Sequence, residues 1–530
     1  MPMNKVQKDK FIKILLRTAA AVCVVLGLSY APLPVQAQQP GSITSCNAPM
    51  NLSNSEGYSS NDPFLIADPA GVAHLFWAER VFGSPGSGGT DAVMYSKWDG
   101  ISWSEPNDIF LTPPDHVNRQ IFGVRGVLDE EGIIHLAWMG PDNTFYYSSA
   151  RADQAGIAAE WEKPFLLADD EAGTQFSFDI AYEPPSTLHI LYGASRENDA
   201  PSVSYIRSTD NGLTWTDPKD IFLFSGLDRG ASNIRLLVDD RPGRIYATWT
   251  EWDLSGNGQA IYFAKTIDDG DTWSVPVLLD KRAKNDYERD WTNLAKLGRD
   301  QLVVIWEGGF RAYPQAQYSY DDGETWTKPI DTFPWLIADN GYAHLLYDNT
   351  GRLHTFLVRR IREGAGDVCR FPGCAQAEAR GSTNTLWHSV WEGGTIWRTP
   401  EPVGNFGDGK LGDIGGAYST VAFVEGNRLV AAWFSYLVQE IIVMDCKVEG
   451  AIHEPARPWP TATPNPTPTA TATPVLPDVT PGLPHRSQQI QNLPPVTSQE
   501  NPNPGFAILV GTLLSLIPLA GFVYIRLRHR

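Results

Sequence analysis

One short unit, recurring along this 530-residue chain, constrains its fold more than any other feature. The unit reads Ser/Thr-x-Asp-x-Gly-x-Thr-Trp, and its best copies begin at Ser208, Thr266 and Ser319. An Asp side chain accepts hydrogen bonds from nearby backbone amides, and Gly takes the positive φ that a tight turn needs. The hydroxyl residue ties down the turn, and the Trp packs beneath it. The unit therefore predicts the same hairpin turn several times over.

Weaker copies of this turn begin at Ser96 and Ser389, and a decayed copy runs from Ser148 to Trp161. A second unit alternates with the turn, and it consists of an apolar strand, a short turn and another apolar strand. Its seven copies span residues 63–77, 121–138, 178–192, 234–249, 294–306, 343–357 and 421–433. Short runs rich in Val, Ile, Leu and Ala are typical of buried strands, and no long helical periodicity accompanies them.

The alternation of the two units predicts an all-β propeller of four-stranded blades. Each blade would hold an inner hairpin, followed by an outer pair of strands joined by the Asp-bearing turn. One strand, residues 440–446, follows the last hairpin, and residues 42–52 can supply the outer strand that it lacks. Such pairing closes a ring and leaves no exposed edge. Seven hairpins predict seven blades, and a six-bladed ring with one additional hairpin remains the alternative.

The recurring turn resembles the Asp box, or BNR repeat, of sialidases and related propellers. This resemblance covers most of residues 38–449, and it implies a sialidase-like fold in which each box has a structural role. Sialidases have six blades and carry an Arg-Ile-Pro motif in the first. Here the corresponding stretch is Asn61-Asp62-Pro63-Phe64, so that Arg is absent. The catalytic motifs of the family are therefore not matched.

The two ends of the chain predict export and anchoring. Residues 1–37 combine a basic start, a short apolar run and a small-residue cleavage site, which is typical of a signal peptide; an uncleaved anchor is the alternative. Residues 450–505 are rich in Pro and Thr and predict a disordered, extended stalk. Residues 506–525 predict a transmembrane helix, and the basic residues 526–530 a cytoplasmic tail. A cleaved surface-sorting signal would look similar.

Four cysteines remain once Cys23 leaves with the signal peptide. An even number in an exported chain suggests disulfides, although free thiols remain an alternative. Cys46 and Cys446 would meet in one blade if the domain is a closed ring, and Cys369 and Cys374 would close a small loop. No spacing favours a zinc site, and we expect no metal or cofactor.

The predicted ligand site lies on the face where first strands begin and second strands end, opposite the Asp-bearing turns. Carboxylates suit sugar hydroxyls there, Trp suits sugar faces, and Arg suits anionic groups. The candidate ligand-binding residues on this face are Asp62, Glu79, Arg80, Arg119, Trp252, Asp290, Trp291, Arg311, Arg359 and Arg360. Arg359 and Arg360 open an arginine-rich insertion in the sixth blade.

Two functions follow from this face. The first is a surface-displayed binding module for glycans or surface proteins, with the membrane as its anchor. The second is a sialidase-like or other glycoside hydrolase, and whether the chain is an enzyme stays open. Its candidate catalytic residues would be Glu251, Glu307, Tyr342 and Tyr418. The formal charge of −19 argues against nucleic acid as a partner.

Overall fold

The computed structural model contains a single ring of antiparallel β-sheets and, among the residues it describes, no α-helix. The described residues are 40–55, 58–81, 91–112, 121–140, 144–168, 177–195, 200–284, 286–308, 313–334, 336–337, 343–361, 385–403, 414–424, 428–435 and 437–450. Within this part of the chain, no helix has the length and apolarity needed to cross a membrane. The predicted signal peptide, stalk and transmembrane segment lie outside the described residues.

The first four blades are four-stranded meanders in which each strand pairs with the next along the chain. Their strands are β3 (Tyr58–Ala67), β4 (Ala73–Val81), β5 (Ala92–Trp98) and β6 (Asn107–Leu111) in blade 1; β7 (Phe122–Leu128), β8 (Ile133–Met139), β9 (Phe145–Arg151) and β10 (Phe165–Ala168) in blade 2; β11 (Phe178–Glu183), β12 (Thr187–Ala194), β13 (Ser202–Ser208) and β14 (Lys219–Leu223) in blade 3; and β15 (Arg229–Val238), β16 (Ile245–Asp253), β17 (Gly258–Thr266) and β18 (Val277–Lys281) in blade 4.

The remaining three blades keep this plan, with short additional strands in blades 6 and 7. Their strands are β19 (Asp290–Gly298), β20 (Gln301–Gly308), β21 (Tyr313–Ser319) and β22 (Ile330–Asp331) in blade 5; β23 (Leu336–Ile337), β24 (Ala343–Tyr347), β25 (Leu353–Ile361), β26 (Thr385–Gly393), β27 (Ile396–Trp397) and β28 (Glu401–Pro402) in blade 6; and β29 (Ile414–Val424), β30 (Arg428–Ser435), β31 (Glu440–Val448), β1 (Ile43–Cys46) and β2 (Met50–Asn51) in blade 7.

The blades close into a ring through their first strands and through the chain ends. Each first strand contacts the first strand of the next blade, and β29 of blade 7 contacts β3 of blade 1. The N-terminal strand β1 pairs with β31 in blade 7, where Cys46 lies opposite Cys446 and forms a disulfide with it. The predictions of seven blades, of N-terminal closure and of this disulfide are confirmed. Cys369 and Cys374 lie outside the described residues.

The core consists of apolar layers between neighbouring blades. Trp77, Trp249, Trp306 and Trp433 occupy matching places in the second strands of blades 1, 4, 5 and 7, and all four are fully buried. Burying an aromatic side chain of this size contributes about 2–3 kcal/mol. Because each layer is shared by two blades, no blade buries its apolar face alone, and the ring has to form as a whole.

The recurring turns are built as their sequence predicts. In blade 3, the Asp210 carboxylate accepts the Thr214 amide at 2.8 Å and the Thr214 hydroxyl at 2.7 Å. The Ser208 hydroxyl accepts the Gly212 amide at 2.8 Å, and Gly212 has a φ of +86°. The turns that begin at Thr266 and Ser319 have the same hydrogen bonds. These contacts are internal to the turn, which gives each copy a structural role.

A histidine of the inner hairpin joins these turns to the core in several blades. In blade 3, His189 Nδ1 lies 2.7 Å from the Tyr205 hydroxyl, and its Nε2 lies 3.2 Å from Glu183. Tyr205 in turn donates to the Asp269 carbonyl of the blade 4 turn at 3.0 Å. His74, His135 and His354 also have a carboxylate on Nε2. In blades 2 and 3 the histidine therefore connects its blade, through a tyrosine, to the recurring turn of the next blade.

Candidate functional site

A β-bulge near the start of several first strands shapes the face opposite the recurring turns. The residues at the bulges have positive φ, namely 54° at Asp62, 55° at Gly123, 50° at Asn233 and 55° at Trp291. Such a conformation is uncommon for a residue other than Gly and costs roughly 1–3 kcal/mol, so neighbouring contacts must hold it in place. A bulge also redirects the side chains beside it. The strained residues thus mark one face of the ring.

Hydrogen bonds link the bulges of neighbouring blades. The Asp62 carboxylate of blade 1 accepts the Gly123 amide of blade 2 at 2.8 Å. The Asn233 side-chain amide of blade 4 donates to the Asp290 carboxylate of blade 5 at 2.5 Å. Asp62, predicted as a ligand-binding residue, therefore has one carboxylate oxygen bound within the ring.

Asp290 is the centre of a polar cluster on this face. Its side chain is almost fully buried, and one oxygen accepts hydrogen bonds from Asn233, from the Trp252 indole at 2.8 Å and from the Trp291 amide at 2.8 Å. Burial raises the pKa of Asp290 well above its usual range, and the nearby Glu307 carboxylate adds to that increase. The cluster joins blades 4 and 5 and fixes the Trp252 ring.

Glu307 extends the cluster into blade 6. It lies opposite Asp290 in the β19–β20 ladder, is 1% exposed, and has a carboxylate oxygen 3.6 Å from Arg359 Nη1. Arg359 is 0% exposed and also donates to the Val358 carbonyl at 2.8 Å. Two residues predicted for different roles, one catalytic and one ligand-binding, therefore form one buried ion pair.

Trp252 and Glu251, at the end of β16, lie nearer the solvent. The Trp252 indole is half-buried and stands edge-on to Trp291, with ring centroids 6.1 Å apart. Glu251 accepts the Tyr262 hydroxyl at 3.1 Å and lies 3.7 Å from Arg229 Nε. An aromatic surface held rigidly beside a carboxylate and a guanidinium can contact the apolar side of a ligand and hydrogen-bond its polar groups.

The blade 1 candidates form a separate group. Glu79 is buried and accepts the Ser60 hydroxyl at 2.6 Å and the Trp77 indole at 3.1 Å. Arg80 is about one-third exposed, and its Nε lies 4.0 Å from Asp91. Glu79 is therefore held by hydrogen bonds within blade 1, whereas Arg80 lies nearer the solvent.

Several predicted residues cannot be placed on this face. Arg119, Arg311 and Tyr342 lie outside the described residues, and only the backbone is described at Arg360 and Tyr418. Within the described part of the chain, no group of three or more His, Cys, Asp or Glu residues could hold a metal ion.

Sequence reasoning missed two residues that contact Glu251 and two arginines of the first strands. Arg229 and Tyr262, which contact Glu251, belong to no motif and come together only through strand pairing. Arg125 and Arg235 occupy the same position of different first strands, which aligning the seven hairpin copies could have revealed.

Strand order, blade number and the recurring turns define the chain as a seven-bladed β-propeller. No family model matches the chain, and neither does any curated protein sequence. Among solved structures, it is similar to a Dyadobacter fermentans protein of unknown function, with 15% identity, a TM-score of 0.43, and coverage of 76% of this chain and 98% of that one.

The solved structures to which it is similar also include a sialidase. The NanB sialidase of Streptococcus pneumoniae has 12% identity and a TM-score of 0.41, with 81% of this chain and 73% of that one covered. An alpha-L-arabinanase of Penicillium chrysogenum has 13% identity and a TM-score of 0.42, with 65% and 98% covered. No statement about activity follows from similarities of this size.

Proposed function

We propose that this chain is a carbohydrate-binding propeller whose ligand rests on Trp252 at the junction of blades 4 and 5. The observation that carries the proposal is the state of the Trp252 ring, which is half-buried, hydrogen-bonded through its nitrogen to Asp290, and braced by Trp291. A ring held in this way loses little conformational entropy when a ligand packs on it. Glu251 and Arg229 beside it offer an acceptor and donors for sugar hydroxyls.

Binding of the full-length chain to a panel of immobilised glycans tests this proposal. We expect Trp252→Ala to weaken binding of the retained glycan by about tenfold or more, since aromatic contacts of this kind dominate small interfaces. Tyr320→Ala is the matched control, because Tyr320 is an exposed aromatic within the recurring turn of blade 5, opposite this face. No binding across the panel, or equal loss in both variants, would refute the proposal.

A glycoside hydrolase is the second candidate, and the observation in its favour is the unequal pair of carboxyl groups in blade 5. Burial raises the pKa of Asp290, whereas Glu307 has a guanidinium partner, and such pairs can divide acid and base roles. Hydrolysis of a fluorogenic sialoside and other aryl glycosides by the full-length chain tests it. Turnover that is lost in Asp290→Asn and Glu307→Gln, or in Glu251→Gln, would favour the enzyme over the binding module.

We also propose that the propeller is displayed at the cell surface by the C-terminal segment. The apolar residues 506–525 and the basic residues after them support this placement. Deleting residues 506–530 should move the protein from the membrane fraction to the medium. Retention of the truncated chain in the membrane fraction would contradict the anchor.

A further inference from the structure

One position of the innermost strands carries a polar or charged residue in six of the seven blades, and that residue is arginine in two of them. We call this set the axial ring. Each member pairs with a residue of the second strand, and the next residue of that strand is a Trp, a Tyr or, in blade 6, a Leu. The members are therefore equivalent in the seven blades. They are Phe64, Arg125, Asp179, Arg235, Asn293, His344 and Thr420.

The axial ring lies where each blade meets the next around the axis. The Asp179 carboxylate of blade 3 accepts the Leu236 amide of blade 4 at 2.9 Å. The Asn293 side chain of blade 5 donates to the Ala343 carbonyl of blade 6 at 2.8 Å. Six side chains of the ring, all except the buried Thr420, are partly exposed, and because first strands are the innermost strands, these six border the axial channel rather than the outer surface.

The axial ring contains two guanidinium groups and only one carboxylate. Arg125 lies over the Phe64 ring at 5.4 Å from its centroid and donates to the Val124 carbonyl at 2.7 Å. Arg235 donates to the Ile234 carbonyl at 2.8 Å. Each side chain is thus folded back along its own strand, which keeps its charge near the axis.

The charges of Arg125 and Arg235 affect the pKa values of axial-ring residues in other blades. Burial raises the pKa of Asp179 in blade 3, although both guanidinium groups oppose that increase. The pKa of His344 in blade 6 is lowered to about 3, mainly by burial and in addition by the same two guanidinium groups. His344 is therefore neutral near pH 7, and the ring has an excess of positive charge inside a chain whose formal charge is −19.

We propose that the axial channel binds a carboxylate anion, with Arg125 and Arg235 as the residues that recognise it. A guanidinium group offers two parallel N–H donors that match the two oxygens of a carboxylate. The attraction is stronger in an enclosed channel than at the outer surface, because the surrounding protein screens charge less than water does. This site is separate from the sugar surface at Trp252, and it recognises charge instead of an apolar ring face.

Isothermal titration of the full-length chain at low ionic strength tests the anion site with two matched pairs of ligands. Acetate is compared with acetamide, and glucuronate with glucose. We expect the acids to bind and the neutral partners not to bind. Binding of acetate alone assigns the channel to small free carboxylates, and binding of both acids assigns it to an acidic sugar as well. If neither acid binds, the proposal is overturned.

Variants identify the residues that bind the anion. Arg125→Gln and Arg235→Gln should each weaken acetate binding by about tenfold or more, because each removes a charge-assisted hydrogen bond. Arg151→Gln is the control, since Arg151 is a half-buried arginine of β9 paired with Asp153. Trp252→Ala should leave acetate binding unchanged, which separates this proposal from that of the sugar surface. Equal affinity in Arg125→Gln, Arg235→Gln and the parent chain would overturn it.

Chemical protection of the unmodified protein gives the same answer if a variant fails to fold. Phenylglyoxal labels accessible arginines, and peptide mass spectrometry reports the extent at each position. We expect acetate to slow labelling of Arg125 and Arg235 and to leave Arg151 unaffected. Equal labelling with and without acetate at all three positions would overturn the proposal.

Discussion

The disulfide between Cys46 and Cys446 offers a direct test of how the ring is held closed. It joins residues 400 positions apart, and it lies in the ladder that pairs β1 with β31. We expect that replacing both cysteines by serine lowers the free energy of unfolding substantially while the native strand order is kept. The ladder itself survives the change, because backbone hydrogen bonds such as Gly41 N to Glu449 O at 2.8 Å do not depend on sulfur.

The size of the effect follows from the length of the closed loop. The chain-entropy relation gives about 6 kcal/mol for a crosslink across 400 residues, as an upper value. Measured losses for native disulfides are smaller, because the unfolded chain retains structure, so we expect a loss of about 2–5 kcal/mol.

Urea unfolding followed by tryptophan fluorescence measures this loss. The comparison is best made in a chain whose other three cysteines are serine, so that reduction acts on Cys46 and Cys446 alone. The urea midpoint should fall, either on reduction or in the double serine variant, and by the same amount in both. An unchanged midpoint would refute the argument that the closed loop contributes to stability.

Three further predictions concern the turns and the buried ion pair. Gly212→Ala should destabilise the protein by more than the roughly 1–2 kcal/mol of a positive-φ alanine, because its Cβ would lie 2.0 Å from the Tyr147 hydroxyl. Arg359→Met should cost about 3–5 kcal/mol, because it leaves Glu307 as a buried charge without its guanidinium. Hydrogen bonds from Thr325 lower the pKa of Asp321, so the stability it contributes is present above its unfolded pKa near 4 and is lost as pH falls through the lower folded value. The difference between the parent chain and Asp321→Asn should therefore shrink in acid.

Chemical denaturation measures all three, and each has a matched comparison. Gly100 also has positive φ but has open space around its missing Cβ, so Gly100→Ala should show the backbone cost alone. Adding Glu307→Gln to Arg359→Met should recover part of the loss, and a double variant as unstable as the sum of the single ones would contradict the ion-pair explanation. A stability difference for Asp321→Asn that does not vary between pH 3 and 6 would contradict the third prediction.

Much of the fold could be predicted because the evidence for it is local and repeated. The turn at Ser208 forms from hydrogen bonds within eight residues, so its sequence specifies its geometry wherever it occurs. The inner hairpins are equally local. Blade number followed from counting them, and ring closure followed from the one strand that lacked a partner. Placing Cys46 against Cys446 then required only that the ring be closed.

The candidate face could be predicted as a region but not as a set of contacts. From the sequence, Glu251 and Glu307 are expected at equivalent positions of adjacent blades, which suggests a catalytic pair. The strand register corrects this: Glu307 directly follows Trp306, whereas Glu251 is the second residue after the matching Trp249. In the structure Glu307 contacts Arg359 and is buried, whereas Glu251 contacts Tyr262 and keeps some exposure. A shift of one residue along a strand places a side chain on the opposite face, so the two carboxylates have different partners.

The sequence by itself determined the blade plan, the turns and the closing strand, because each depends on contacts between residues close in the chain or on a count of repeats. Only the tertiary structure decided which charges became buried and paired, and which arginines gathered at the axis. Arg125 and Arg235 are far apart in sequence and share no motif. They come near the same channel because blades of equal construction are arranged around one axis, and that arrangement exists only when the whole ring has formed.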